Sequence, residues 1–347
     1  MGHTFGMQER EAIHALYRAR LQNAIEQAEQ YGGRKIAEAD VCTVARRCLP
    51  EVRAFAPEGY AELEGIAEGA QLSLERLWAM NALTDLRDVL AYQEDRPADD
   101  EGCSSFVILG DRTDDHHPLV AQTWDLATSN MPFVRVVVRE PDEGPRTVCL
   151  TTVGCLSLIG LNEHGIAVGT TNLRSLDARQ GVGYLDVIHR ALAQRDFEGA
   201  MKVVETAPRA GAHYYMVVEE TGRTGLVECS ARRFVSTRPS TGVRVHTNHF
   251  LDKSLQTLED ESVRGSSSFR RQAYLEDQFA RRSQWSVMDA MTALSSHGQT
   301  GEAICRHDDS GVSTNGAVIM RPADRQLIAV HGPACQGGWV TFDVPRS

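Results

Sequence analysis

Residues 99–109, DDEGCSSFVIL, place a glycine and a cysteine at the border between two unlike textures. Upstream, residues 94–102 are acidic and polar, with Pro97 and Gly102 as breakers, and read as a linker. Downstream, the run from Phe106 is apolar and β-branched, as in a strand entering a buried sheet. A thiol is the most nucleophilic ordinary side chain, and glycine before it removes bulk and widens the accessible backbone angles. Attack of Cys103 on the Gly102 carbonyl would break the chain there and free an α-amine. That amine has a reference pKa of about 7.7–8.0, close to working pH for a general base. The junction therefore predicts self-cleavage between Gly102 and Cys103, after which Cys103 acts as an N-terminal nucleophile. An ordinary packing cysteine is the plain alternative.

Working outward, residues 8–93 carry apolar positions at helical spacing, in AIHALYRARLQNAIEQAEQY and again in GYAELEGIAEGAQLSLERLWAMNALTDLRDVLAY. After Phe106, short β-rich runs alternate with turn residues: SFVILG, LVAQTWD, FVRVVVRE, TVCLTTVG and IAVGTTNL. Helices are expected near 184–194 and 197–206, followed by strands in HYYMVVEE, GLVEC, RFVST and VRVHTN. Two more helices near 266–282 and 286–296 precede three closing strands, STNGAVIM, QLIAVHG and GWVTFD. Strand groups separated by helix pairs predict an α+β fold with two antiparallel sheets stacked face to face and helices outside.

The bulk numbers narrow the function classes. A net charge of −11 over 347 residues speaks against general nucleic-acid binding, which needs a basic surface. No run approaches the roughly 20 apolar residues of a membrane span, and the charged N-terminal stretch lacks a signal-peptide core. A cytoplasmic protein is expected. The eight cysteines show neither CxxC pairs nor zinc-finger spacing, so free buried thiols, no metal and no cofactor are expected, with Cys305 read as a packing thiol.

Three further segments give Cys103 company. In AQTWD, Asp125 lies one hairpin after the cysteine, within reach of its thiol and amine. In NEHGIAVGTTNL and HTNHF, Asn172 and Asn248 close strands. Strand-end asparagines commonly shape turns, and an amide NH₂ can equally stabilise an oxyanion.

Together, EGCSSF, AQTWD, NEHGIAVGTTNL, HTNHF and AICRH resemble the autoproteolytic acyltransferase/hydrolase family C45, typified by isopenicillin N acyltransferase. This family lies within the N-terminal-nucleophile (Ntn) hydrolases, alongside bile-salt hydrolases. The resemblance implies an αββα sandwich in one integrated domain. Residues 1–102 would become a helical α chain and residues 103–347 the β chain carrying the nucleophile. It assigns Cys103 as nucleophile with its α-amine as base, Asp125 as the orienting acid, Asn248 as the oxyanion-hole asparagine and Asn172 as a second asparagine of the bile-salt branch. Arg270, in SSSFRR, matches that branch's arginine, with Arg271 a second match. Arg270, Arg306, Trp124 and Gln122 are the substrate-facing candidates; Trp124 also reads as core and Arg306 as an ion-pair residue. Gln122 stands where the bile-salt branch has arginine, which separates this chain from that substrate.

The implied activity is hydrolysis of a small-molecule amide through a thioester, with transfer to a second amine as the alternative. Three rivals have their own marks: an unprocessed Cys-His hydrolase using His116, His117, His246 or His249; a metal on His246 and His249; and a non-catalytic binding protein. The expected partners are the amide substrate and the two halves of the cut chain, with a homo-oligomer left open.

Overall fold

The computed structural model describes residues 1–32, 35–91, 102–298, 302–307 and 311–345. Most of the linker reading for 94–102 therefore lies outside the described residues. The N-terminal region forms six helices: α1 (Gly2–Gln8), α2 (Arg10–Gly32), α3 (Glu38–Phe55), α4 (Pro57–Ala70), α5 (Leu74–Asn81) and α6 (Leu83–Ala91). Pro57 opens α4 at its first position, where the missing N–H costs nothing, and Gln71 ends it in a left-handed conformation, φ 55°.

Six strands follow: β1 (Ser105–Ile108), β2 (Leu119–Ala127), β3 (Val134–Arg139), β4 (Thr147–Thr152), β5 (Ile159–Asn162) and β6 (Ile166–Leu173). The first helix pair is α7 (Tyr184–Leu192) and α8 (Phe197–Thr206). Next come β7 (Ala212–Glu219), β8 (Thr224–Cys229), β9 (Phe234–Thr237) and β10 (Val243–His246). A short helix α9 (Lys253–Gln256) leads to α10 (Ser268–Ala280) and α11 (Val287–Leu294). The chain closes with β11 (Val312–Arg321), β12 (Gln326–His331) and β13 (Val340–Asp343).

The strands build two antiparallel sheets. One runs β10-β1-β2-β11-β12-β13; the other is a continuous meander from β3 to β9. The sheets face each other through β2 against β6 and through β11 and β12 against β4 and β5. Helices α7 and α8 pack on the meander sheet, and α10 and α11 on the other. The expected sandwich of two sheets between helices is what the chain forms.

The run FVIL shows how β1 comes to lie in the middle. Phe106 and Ile108 enter the apolar layer beneath α10 and α11, with Leu275, Phe279 and Leu294. Val107 and Leu109 enter the layer shared by the two sheets and the N-terminal helices. Alternate side chains of a strand face opposite ways, so a strand covered on both faces must be apolar throughout. The same shared layer takes in Leu16, Val52, Leu63, Ile66 and Trp78, so the N-terminal helices and the sheets have one continuous core. Among the described residues, no helix is long and apolar enough to cross a membrane.

A buried polar tie joins α5 to α7: Trp78 Nε1 donates to Asp186 Oδ2 at 2.9 Å, which also accepts from Gly183 N at 3.0 Å. Burial still outweighs these bonds and pushes the Asp186 carboxyl up to about 7. An acid whose folded pKa is raised loses stability as pH rises from its unfolded pKa, about 4, to its folded value. The contribution of Asp186 to stability should thus fall from pH 4 to pH 7 and then level. In Asp186→Asn, which keeps an acceptor for both donors, denaturant unfolding at pH 5 and pH 8 should show a smaller difference than in wild type.

Candidate active site

The register of β1 on β2 pairs Ser105 with Gln122 and carries on, past the end of β1, to a bridge between Gly102 and Asp125. Asp125 N donates to the Gly102 carbonyl at 2.9 Å, and Gly102 N donates back at 3.3 Å. The hairpin therefore sets Asp125 beside the Gly102–Cys103 peptide. The thiol side of this junction is nearly closed: Cys103 is 7 % exposed and Asp125 2 %.

Asn248, just past β10, meets the junction from the other side. Its Oδ1 accepts from Cys103 N at 2.8 Å and from Arg271 Nη2 at 2.8 Å. Two donors aimed at one atom fix that atom as the amide oxygen. The opposite end, Nδ2, donates to the Asn172 carbonyl at 2.8 Å and so links the two sheets, since Asn172 lies on β6. One of the two Nδ2 hydrogens is used in that bond.

The arginine of the site is Arg271, and the expectation for Arg270 is corrected. Arg270 lies exposed on α10, whereas Arg271 is 2 % exposed and reaches the junction. Its Nη1 donates to the Cys103 carbonyl at 2.6 Å and to Ser104 Oγ at 2.9 Å, while Nε donates to Ser267 Oγ at 3.1 Å. Helical phase explains the choice. The buried positions of α10 are Ser268, Arg271, Gln272, Leu275 and Phe279, and Arg271 stands one turn before Leu275 on that face.

Between them, Asn248 and Arg271 fill the space a side chain at position 102 would need. A Cβ on Gly102 would lie 2.6 Å from Asn248 Oδ1 and 2.8 Å from Arg271 Nη2. Glycine is thus required by close approach.

Asp125 is held by Thr314 of β11, whose hydroxyl donates to Oδ1 at 2.7 Å. Oδ2 is buried and takes no hydrogen bond among the described residues. Burial raises the carboxyl to about 6 against the opposing pull of Arg271 and Thr314. Burial, helped by the Asp125 charge, pushes the Cys103 thiol up to about 12. An acid titrating near neutrality with a free oxygen, beside a thiol that needs help to ionise, is an arrangement suited to proton transfer.

A narrow pocket of about 40 Å³ opens on the thiol. Leu126, Leu158, Trp124 and Tyr184 give it an apolar lining, and Leu83, Thr84 and Arg20 from the N-terminal helices close one side. Gln122 also lines it while pairing both ways with Thr170 on β6: Nε2 to the carbonyl at 2.8 Å, and Thr170 N to Oε1 at 2.8 Å. Gln122 is therefore fixed as a bridge between sheets. Arg306 is not among the lining residues. Its backbone N–H donates to Thr314 Oγ1 at 2.9 Å, which places it behind Asp125.

The histidines of the rival readings are engaged elsewhere. His246 Nε2 pairs with Glu228 at 2.8 Å and stacks on Tyr214, while His249 Nδ1 meets Ser268 Oγ at 2.8 Å. They share no centre. His116 and His117 are exposed on the connection between β1 and β2. The histidine that does line the pocket, His213, is bonded through Nε2 to Asp85 Oδ1 at 3.0 Å. His213, Tyr184, Thr314 and the wall from α6 were not foreseen in the sequence. Thr314 lies in the unremarkable run STNGAVIM, and nothing in its spacing points to Asp125.

Residues 112–328 match the family described as acyl-coenzyme A:6-aminopenicillanic acid acyl-transferase. The matched span holds Asp125, Asn172, Asn248, Arg271, Arg306 and Thr314, and begins after Cys103. Among solved structures, the chain is similar to a mutant of the conjugated bile acid hydrolase from Clostridium perfringens. That match has 10% identity and TM-score 0.49 over 70% of this chain and 92% of that one. It is also similar to an N-acylethanolamine-hydrolyzing acid amidase ortholog from Caenorhabditis elegans, at 13% identity and TM-score 0.44 over 64% and 93%. Penicillin V acylase from Agrobacterium tumefaciens matches at 13% identity and TM-score 0.40 over 66% and 83%.

The two adjacent arginines give a direct test of the geometry. Arg271→Ala leaves Asn248, the Cys103 carbonyl and the Asp125 charge without their cation, and should lower stability by about 3–5 kcal/mol in urea unfolding. Arg270→Ala, at an exposed position, should cost less than about 1 kcal/mol in the same measurement.

Proposed function

The chain belongs to the acyl-coenzyme A:6-aminopenicillanic acid acyl-transferase family, and on that footing we propose that it is a self-processing N-terminal-cysteine amidohydrolase. What carries this reading is the packing around one peptide bond. Gly102 has no room for a side chain, its carbonyl already accepts from Asp125 N, and a buried thiol follows it.

In the self-cleavage step, Asp125 Oδ2 takes the thiol proton as Cys103 Sγ adds to the Gly102 carbonyl carbon. Negative charge on that oxygen is held by Asp125 N–H. The C–N bond then breaks, Asp125 gives the proton it took from the thiol to the departing nitrogen of Cys103, and a thioester remains. Water hydrolyses it, releasing the Gly102 carboxylate and a free Cys103 α-amine.

Turnover uses the new amine. It accepts the thiol proton while Sγ attacks an amide carbonyl, and passes that proton to the departing nitrogen. Asn248 Oδ1, already an acceptor from Cys103 N, keeps the amine aimed, and the adjacent Arg271 charge favours its neutral, basic form. Oxyanion donors of the Asn248 type contribute about 3–4 kcal/mol when preorganised. Water then deacylates the enzyme. The apolar lining from Leu126, Leu158, Trp124 and Tyr184 suits a small apolar acyl group. The core shared by the N-terminal helices and the sheets supports a cut pair that stays associated. Transfer to a second amine is the second reading, favoured by the family's name; it differs only in what attacks the thioester.

Intact mass spectrometry tests the premise. Wild type should give two fragments, roughly 11 and roughly 27 kDa for residues 1–102 and 103–347, and Cys103→Ala one unbroken chain. The two wild-type fragments should co-elute in native gel filtration. Because Asp125 works only as carboxylate, precursor cleavage should speed up as pH rises through about 6. An active wild type that remains one chain would refute the reading.

A further inference from the structure

Away from the junction, four side chains converge at one end of the sheet that carries Cys103. His297 follows α11, Cys305 and His307 precede β11, and Cys335 sits in a single 3-10 turn, Ala334–Gln336, after β12. Their donor atoms all lie within 4.8 Å of one another. His307 Nε2 is 3.0 Å from His297 Nε2, 3.1 Å from Cys335 Sγ and 3.8 Å from Cys305 Sγ.

Hydrogen bonding does not account for this arrangement. A ring nitrogen carries either one proton or one lone pair, so His307 Nε2 can satisfy one such partner and not three. A metal ion at the common centre satisfies all four donors at once. With Zn–S near 2.3 Å and Zn–N near 2.0–2.1 Å, a tetrahedral zinc sets its donors about 3.3–3.8 Å apart. The separations around His307 need change only by a few tenths of an ångström to reach that range.

We propose that His297, Cys305, His307 and Cys335 form a closed Cys₂His₂ site for a structural divalent ion, zinc by ligand chemistry. Two thiolates and two imidazoles are a zinc-type set, and four protein ligands leave no position for substrate. This replaces the expectation of no metal and of Cys305 as a packing thiol. The ligand pattern, Cys-x-His with one distant residue on either side, is unlike a finger repeat.

The site bears on the active centre through Arg306, which lies between two ligands. Arg306 N donates to Thr314 Oγ1 at 2.9 Å, Thr314 N donates to the Arg306 carbonyl at 3.1 Å, and Thr314 holds Asp125. Fixing residues 305 and 307 on an ion fixes Arg306 against Thr314, and so positions the carboxyl beside Cys103.

The full chain, made without a polyhistidine tag and kept reduced, tests this by elemental analysis. About one zinc per chain is expected. Cobalt reconstitution should give the visible bands of a tetrahedral thiolate centre, and the same bands should appear in Cys103→Ala, which lacks the active-site thiol. The double variant His307→Asn/Cys335→Ser should lose at least tenfold in metal affinity. A second arm leaves the sequence intact and so does not depend on how that variant folds: chelation should lower the unfolding temperature of wild type, and added zinc should restore it. The proposal is overturned by wild type that takes up no stoichiometric zinc under reducing conditions, by cobalt spectra without thiolate bands, by a double variant with undiminished metal affinity, or by unfolding unaffected by chelation. None of these outcomes depends on whether the chain cuts itself.

Discussion

A buried guanidinium holds the junction together. Arg271 donates at once to the Cys103 carbonyl, to Ser104 and to Asn248, and its charge opposes the desolvation of Asp125. An arginine fork can do this because its donors are planar and fixed relative to one another, whereas a lysine ammonium offers a single point. With Arg271 in place, Asn248 has only one workable orientation, Gly102 can only be glycine, and the peptide between Gly102 and Cys103 is gripped from both sides. The β1–β2 register and Thr314 then set Asp125 against that gripped peptide.

Placing these groups away from water is unfavourable in itself. Asp125 and Arg271 are almost fully buried, and Asp125 Oδ2 has no hydrogen bond among the described residues. A network of that kind persists where surrounding packing overdetermines it. Here the packing comes from two apolar layers on either side of β1 and β2, one of them extended by the N-terminal helices. Those helices thus have two effects, as a lid on the core and as one wall of the pocket, through Leu83 and Thr84.

Much of this was legible in the chain, and the limits have physical causes. The strand runs and the four later helices are recognisable because burial on one or two faces leaves a period in the sequence. β5 was missed, since IGLN offers four residues and a glycine, too short for a period. The N-terminal run divides into more helices than its apolar spacing suggests, because breaks such as Pro57 and Gln71 leave that spacing nearly intact. The nearness of Asp125 to Cys103 could be read because a hairpin register is local. The bond joining Asn248 to Asn172 links different sheets, which no spacing encodes. Arg271 over Arg270 was decidable from the positions of Leu275 and Phe279. The His297, Cys305, His307 and Cys335 cluster was not, because three separate segments supply it.

In the mechanism we propose, the shifted acidities at the junction divide the chemistry between two bases. A thiol near 12 is almost wholly protonated at neutral pH, so its first attack needs an acceptor already in place. In that proposal the acceptor is Asp125, raised to about 6 and with one oxygen that takes no hydrogen bond among the described residues. It is a weak base, adequate for a cleavage that each molecule would perform once. Release of the Cys103 nitrogen would supply a base of pKa about 7.7–8.0 on the same residue as the sulfur, better matched to repeated turnover. On the same proposal the carboxyl would then be left to orient the thiol and amine, so one buried acid would serve both the making of the site and its later alignment.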